Sequence, residues 1–122
     1  MRRDFGLIRD ILLQMEAIEG RLTAASIKID RADADVINYH LRLMMDANLI
    51  EGQVSQELFS NGRPAHVVPS RMTWAGHDFL DAARDDTVWN RTLKKIGSRT
   101  ASLTFELLKE TLVAVARSMM GM

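Results

Sequence analysis

The feature that most restricts this chain is a tight-turn signal, Asn61-Gly62, lying between two strand-like runs and flanked on both sides by helix-period segments. Both residues of such a pair accept the positive φ angles of a short hairpin. Residues 53–60 and 65–72 therefore read as two strands joined at Asn61-Gly62-Arg63-Pro64, and Pro69, which has no N–H for a ladder, suits an edge strand. Upstream, Val36–Leu49 has helical period. Its inward face is Ile37, Leu41 and Met44, continuing to Ala47 and Leu49, and its complementary face shows Asn38, Tyr39, Arg42 and Met45. The start falls near Asp30–Asp35, where carboxylates favour the positive end of a helix dipole. Downstream, Thr73 is a good N-cap for a helix through Ala83, with Phe79 and Leu80 packing inward.

An earlier helix precedes this unit. Phe5, Ile8, Ile11, Leu12, Met15 and Ile18 recur at three- and four-residue steps, Asp4 stands at the N-cap, and Gly20 is the expected stop. Residues 22–29 are β-branched enough for a short strand. After Ala83, Arg84-Asp85-Asp86-Thr87 breaks the chain and caps a helix over Thr87–Ile96, with Trp89, Leu93 and Ile96 apolar and Gly97 closing it. Ser102 is read as the cap of a final helix carrying Phe105, Leu108, Leu112, Val115, Ala116 and Met119, its apolar arc widened by Leu107, Val113 and Met120. Helix, helix, hairpin and helix in this order give the expected fold class. It is α+β, mainly α: a winged helix-turn-helix-like domain with a β-hairpin wing and extra C-terminal helices. The expected layout is one domain over 1–122, with a core to residue 88, a wing over 53–72 and a helical pair over 87–122.

Composition limits the chemistry. At 122 residues, 47% apolar and 26% charged, the chain is long enough to bury a core without staples. The absence of Cys removes disulfides, thiolate metal sites and Cys nucleophiles. The N-terminus reads as no signal peptide and no run reaches a membrane span, so a cytoplasmic location is expected. Charge is balanced at 16 basic and 16 acidic residues, but unevenly spread. Residues 89–122 hold Arg91, Lys94, Lys95, Arg99, Lys109 and Arg117 against Glu106 and Glu110. Residues 30–57 hold Arg31 and Arg42 against Asp30, Asp33, Asp35, Asp46, Glu51 and Glu57. Proteins living on nucleic acid are usually basic, and here the would-be recognition helix lies in the acidic part.

Several segments resemble a known family. They are Arg2-Arg3-Asp4 with Leu7-Ile8-Arg9-Asp10-Ile11-Leu12-Leu13, Tyr39-His40-Leu41-Arg42-Leu43, Thr73-Trp74-Ala75-Gly76-His77-Asp78-Phe79-Leu80 continuing through Asp85-Asp86 to Trp89, and Leu103-Thr104-Phe105-Glu106. Together they resemble an uncharacterised family common in phages and prophages, domain of unknown function 2513. The resemblance implies a small winged-helix-like protein of mobile elements and carries over no catalytic or binding residue. A looser resemblance, through Val36-Ile37-Asn38-Tyr39-His40-Leu41 and Met72-Thr73, is to winged-helix repressors. Such repressors have a short helix before the recognition helix, for which Ile27–Asp35 leaves little room.

The candidate DNA-contacting residues follow from side-chain chemistry. Asn38 and Arg42 suit adenine and guanine edges, and Tyr39 suits a phosphate. The acidic neighbours Asp33, Asp35 and Asp46 would repel phosphates within a Debye length of about 8–10 Å. Arg63 marks the wing tip, Arg31 adds a cation ahead of the helix, and Arg91, Lys94, Lys95 and Arg99 fall on one helical side as the densest basic cluster. Trp74 and Trp89 are expected in the core. His77, Asp78, Asp81, Asp85 and Asp86 invite a metal reading, but Asp85 and Asp86 explain themselves as caps and no second imidazole stands nearby. There is no phosphate loop, nucleophile elbow or metal-spaced His pair, so neither an enzyme nor a cofactor or metal site is expected.

The expected function is DNA binding in transcription regulation, with double-stranded DNA as partner and Val36–Leu49 in the major groove. The broad apolar arc of the last helix points to a homodimer, with Leu107, Leu108, Leu112, Val115 and Met119 at its interface. The rival expectation is a non-enzymatic phage protein-binding module that docks on a host protein through the acidic helix. No membrane partner is expected.

Overall fold

Residues 2–18, 27–55, 66–97 and 103–121 are described by a computed structural model. The chain is α+β and mainly helical: α1 (Phe5–Ala17), α2 (Ala34–Asp46), β1 (Ile50–Ser55), β2 (His66–Met72), α3 (Trp74–Ala83), α4 (Asp86–Ile96) and α5 (Phe105–Met119). It divides into two units, residues 1–77 and 78–122. The division falls inside α3. The second half of α3 belongs with the helical pair because Phe79 packs on Phe105 of α5, with ring centroids 5.0 Å apart.

In the first unit, Asp4 caps α1 as expected, its carboxylate accepting from Leu7 N–H at 3.0 Å. Leu7, Ile8, Ile11, Leu12 and Met15 bury one stripe, and α1 packs against α2 and β2. Asp33 is the carboxylate that starts α2, accepting from Val36 N–H at 2.9 Å. Ile37, His40, Leu41 and Met44 are its buried positions. The burial of His40 was not expected; its ring joins the two helices. Asp4 N–H donates to His40 Nε2 at 2.9 Å, so Nδ1 carries the hydrogen that is donated to Val36 O at 2.8 Å. The segment ahead of α2 is pinned to α1 as well, since the Gln14 amide bonds the backbone of Lys28 in both directions.

Strands β1 and β2 form an antiparallel pair from Ile50↔Met72 to Ser55↔His66. β1 begins earlier than the expected 53, because Leu49 and Ile50 continue the core directly after the α2 turn. The register shifts beside Gly52, which pairs with Pro69 while Glu51 pairs with Arg71, leaving Ser70 as the extra residue. Ser70 Oγ donates to Glu51 O at 3.1 Å, and the Arg71 guanidinium grips the Glu51 carboxylate by two bonds of 2.8 and 2.9 Å. The Asn61–Pro64 turn, Gly20 and Ser102 lie outside the described residues, as does most of the expected strand at 22–29; its remaining residues, 27–29, are not in a strand.

One corner fixes how α2, the hairpin and α3 meet. Asn48 turns the chain at φ 61°. Its carbonyl accepts from Thr73 Oγ at 2.6 Å, and the next carbonyl, Leu49 O, accepts from Thr73 N–H at 2.9 Å. Thr73 Oγ in turn accepts from Gly76 N–H at 3.0 Å, the N-cap bond of α3. Gly76 is where this helix touches the corner: a Cβ there would lie 2.1 Å from Leu49 O.

Two expectations about packing are corrected. Trp89 is buried, but Trp74 is 82% exposed. The buried positions of α3 are Gly76, Phe79, Leu80 and Ala83, and Trp74 stands on the opposite side of the first turn. On α5, Leu108, Leu112 and Val115 are buried within the chain, where α5 packs on α4. These three are therefore unavailable for an interface between copies, whereas Leu107 and Met119 are exposed. Asp85 caps α4 as expected, through Val88 N–H at 3.0 Å, whereas α5 is capped by Thr104 rather than Ser102, through Leu107 N–H at 3.1 Å. Gly97 closes α4 at φ 58°, as its position suggests.

Candidate nucleic-acid interface

The basic and polar side chains singled out in the sequence meet different fates. Arg31 sits just ahead of α2 and is committed to α1. It donates from Nη1 to Asp4 at 2.9 Å and from Nη2 to Asp10 at 2.9 Å. The Asp10 and Asp4 hydrogen bonds raise its affinity for its proton further. Asp4 feels the pair in the opposite sense. Burial is the largest influence on it and pushes its carboxyl up, but the Leu7 and Gly6 N–H groups and the Arg31 guanidinium together hold it below the ordinary 3.8.

On α2, Asn38 does not face outward as expected. Its Oδ1 accepts from the backbone N–H of Val67 at 2.7 Å, tying the middle of the helix to β2. An acceptor so placed is spent on the hairpin and is not presented to an adenine edge. Tyr39 is half-buried and meets the His40 ring edge-on at 5.5 Å. Arg42 is exposed, 3.8 Å from Asp46 one turn on. The exposed residues of this helix therefore include Asp35, Arg42 and Asp46, with one cation already beside a carboxylate.

α4 is different. Val88, Trp89, Thr92 and Ile96 face inward, and Thr92 Oγ1 satisfies itself on Val88 O at 2.7 Å. Asn90, Arg91, Lys94 and Lys95 are exposed on the outer side, and among the described residues no carboxylate pairs with Arg91, Lys94 or Lys95. Lys94 and Lys95 also stand in the last turn, where cations suit the negative end of the helix dipole. Arg63 and Arg99 lie outside the described residues.

Other chemistry has less to work with. A cavity of about 650 Å³ lies along the segment ahead of α2, with Ile27, Ile37 and Leu41 on its apolar side and Lys28, Asn38 and His66 among its polar lining. The Lys28 backbone and the Asn38 Oδ1 are already bonded to Gln14 and Val67. Asp85 is occupied as a cap and Asp81 pairs with Arg84 at 2.9 Å, which accounts for two of the carboxylates weighed for a metal. Among the described residues, no helix is long and apolar enough to cross a membrane.

Sequence could have exposed part of this. The caps and the α4 basic cluster are local patterns, whereas the Asn38–Val67 and His40–Asp4 bonds join residues far apart in the chain and leave no local trace.

Comparison with known proteins places the chain. No solved structure matches it. An uncharacterised protein of Haemophilus influenzae is 31% identical over 122 residues, covering 99% of this chain and 100% of the relative. The family model described as Hypothetical protein (DUF2513) matches residues 2–102. With that match spanning α1 to the approach of α5, and with a relative aligned over its full length, the chain belongs to the DUF2513 family.

Proposed function

We propose that the protein is a non-enzymatic, winged-helix-type DNA-binding protein of phage or prophage origin that acts in transcription regulation, and that it holds DNA chiefly through the outer face of α4. The observation that carries this reading is the set Arg91, Lys94 and Lys95, exposed together on one helix with no carboxylate partner among the described residues. Unneutralised cations at helical spacing are what phosphate binding needs. Arg31 and Arg42, by contrast, stand beside carboxylates and contribute less net field. In this reading α4 supplies backbone contacts that position the protein, and α2 contributes little base reading, since Asn38 is spent on Val67.

The test is binding to a labelled mixed-sequence duplex across a salt series. Three phosphate contacts predict a log–log salt slope of about −2.7, and Lys94→Ala/Lys95→Ala should flatten it by about 1.8. Absence of binding at low salt, or a slope unchanged in the double variant, rejects the reading.

A second reading is favoured by α2 itself. Asp35 and Asp46 are exposed there and Arg42 is drawn to Asp46, an acidic face suited to docking on a basic host protein. It becomes the leading reading if duplex DNA is not bound.

A further inference from the structure

The outer face of α5 is self-complementary, and we infer that it pairs with the same face of a second copy in antiparallel orientation. The inward stripe, Leu108, Leu112 and Val115, is buried within the chain. About half a turn around the helix runs a different stripe: Glu106, Glu110, Val113, Ala114 and Arg117, all exposed. With Lys109 they line a shallow groove of about 390 Å³ along the helix. Leu107 and Met120 flank it, 50% and 65% exposed, apolar surface that a lone copy leaves in water.

The order of charges along this stripe selects the partner. Acidic Glu106 and Glu110 occupy the N-terminal half, small apolar Val113 and Ala114 the middle, and basic Arg117 the C-terminal end. Glu110 and Arg117 lie about two helical turns, some 10 Å, apart. A two-fold axis midway between them passes between Val113 and Ala114. It sets Glu110 of each copy opposite Arg117 of the other, with the small side chains at the crossing where two helices must approach closely. Among the described residues, neither Glu110 nor Arg117 has an ion pair within its own chain, so both charges are available to the partner. A parallel arrangement would place Glu110 against Glu110 and Arg117 against Arg117, and like charges facing each other disfavour it. The occupant that fits the pattern is thus another copy of this chain, running the opposite way. The seam leaves the α4 basic face uninvolved and stands apart from the DNA reading.

Charge exchange on the full chain tests this by sedimentation velocity over about 1 μM to 1 mM, the range in which a small interface associates. The wild type should move from monomer toward dimer. Glu110→Arg and Arg117→Glu should each raise the dissociation constant about tenfold or more, because every dimer contains the contact twice. An equimolar mixture of the two variants should regain wild-type association as a heterodimer, since every cation then faces a carboxylate. A misfolded variant could not be rescued in that way, and far-UV circular dichroism of each variant alone checks the helix. A wild type that stays monomeric, single variants that associate like the wild type, or a mixture that stays monomeric would each overturn the pairing.

Discussion

Replacing Gly76 with Ala sets two effects of known sign against each other. In an exposed helix interior the change stabilises by about 0.5–1 kcal/mol, because Ala loses less backbone entropy. Here the new Cβ would meet Leu49 O at 2.1 Å and Met72 Cγ at 2.7 Å, where ordinary contact begins at 3.4 Å. Met72 Cγ can give way only by turning a buried side chain. The carbonyl cannot easily do so: it accepts from Thr73 N–H at 2.9 Å, and the residue before it holds a φ of 61° with its own carbonyl bonded to Thr73 Oγ. Retreat of α3 would stretch the same Thr73 bonds, including the cap to Gly76 N–H. Overpacking against backbone belongs at the upper end of the usual 1–3 kcal/mol, so the net effect is a loss of about 2 kcal/mol after the helix gain. For a chain of this size that lowers the melting temperature by about 6–10 °C. Urea and thermal unfolding followed by far-UV circular dichroism measure it. A Gly76→Ala protein as stable as the wild type would show that the Thr73 corner yields and does not hold α3 rigidly against Leu49 O.

Two further predictions concern other parts of the first unit and the tryptophans. Trp74→Ala should change stability by less than about 0.5 kcal/mol, whereas Trp89→Ala should cost about 3–5 kcal/mol. Acrylamide should quench the wild-type emission strongly and that of Trp74→Phe weakly; equal quenching of the two proteins would contradict the exposure of Trp74. The depressed Asp4 carboxyl gives a pH signature. Because its folded value lies below the ordinary 3.8, its contribution is present above that pH and is lost as pH falls through the folded value. Asp4→Asn keeps a capping oxygen but removes the charge facing Arg31. The stability gap between wild type and variant should therefore be open at pH 7 and close in acid; a gap that persists or widens on acidification refutes the assignment.

Much of the architecture was legible because its signals are local. The Phe5–Met15 stripe with its Asp4 cap, the Thr73 cap and the glycine after Ile96 each announce themselves within one or two turns. Residue type points Trp74 inward, but helical phase decides: a stripe through Gly76, Phe79, Leu80 and Ala83 puts position 74 on the far side. The α5 arc misled for the opposite reason. Its apolar residues cover two sides of the helix, and only the packing of α5 on α4 decides which of them is left exposed. Competing hydroxyls at Ser102 and Thr104, and competing carboxylates at Asp30, Asp33 and Asp35, left the caps ambiguous by a few residues. Asn38 and His40 were the hardest, since a polar residue on a helix looks the same whether it meets solvent or a distant backbone N–H.

The Asn38–Val67 bond has a consequence for how this protein resists adding backbone to itself. Val67 N–H bonds a side chain of α2, so it points away from β1, and two residues on, Pro69 occupies the same orientation with no hydrogen to offer. Both successive donors on the outer rim of β2 are thus removed, one by occupation and one by chemistry, and the Ser70 bulge breaks the spacing just beyond them. An extended peptide laid alongside β2 would find no backbone donor at these two positions, where a third strand must begin. Among the described residues, the outer edge of β2 is therefore a poor template for a third strand, which guards that side of the hairpin against fibril-like stacking.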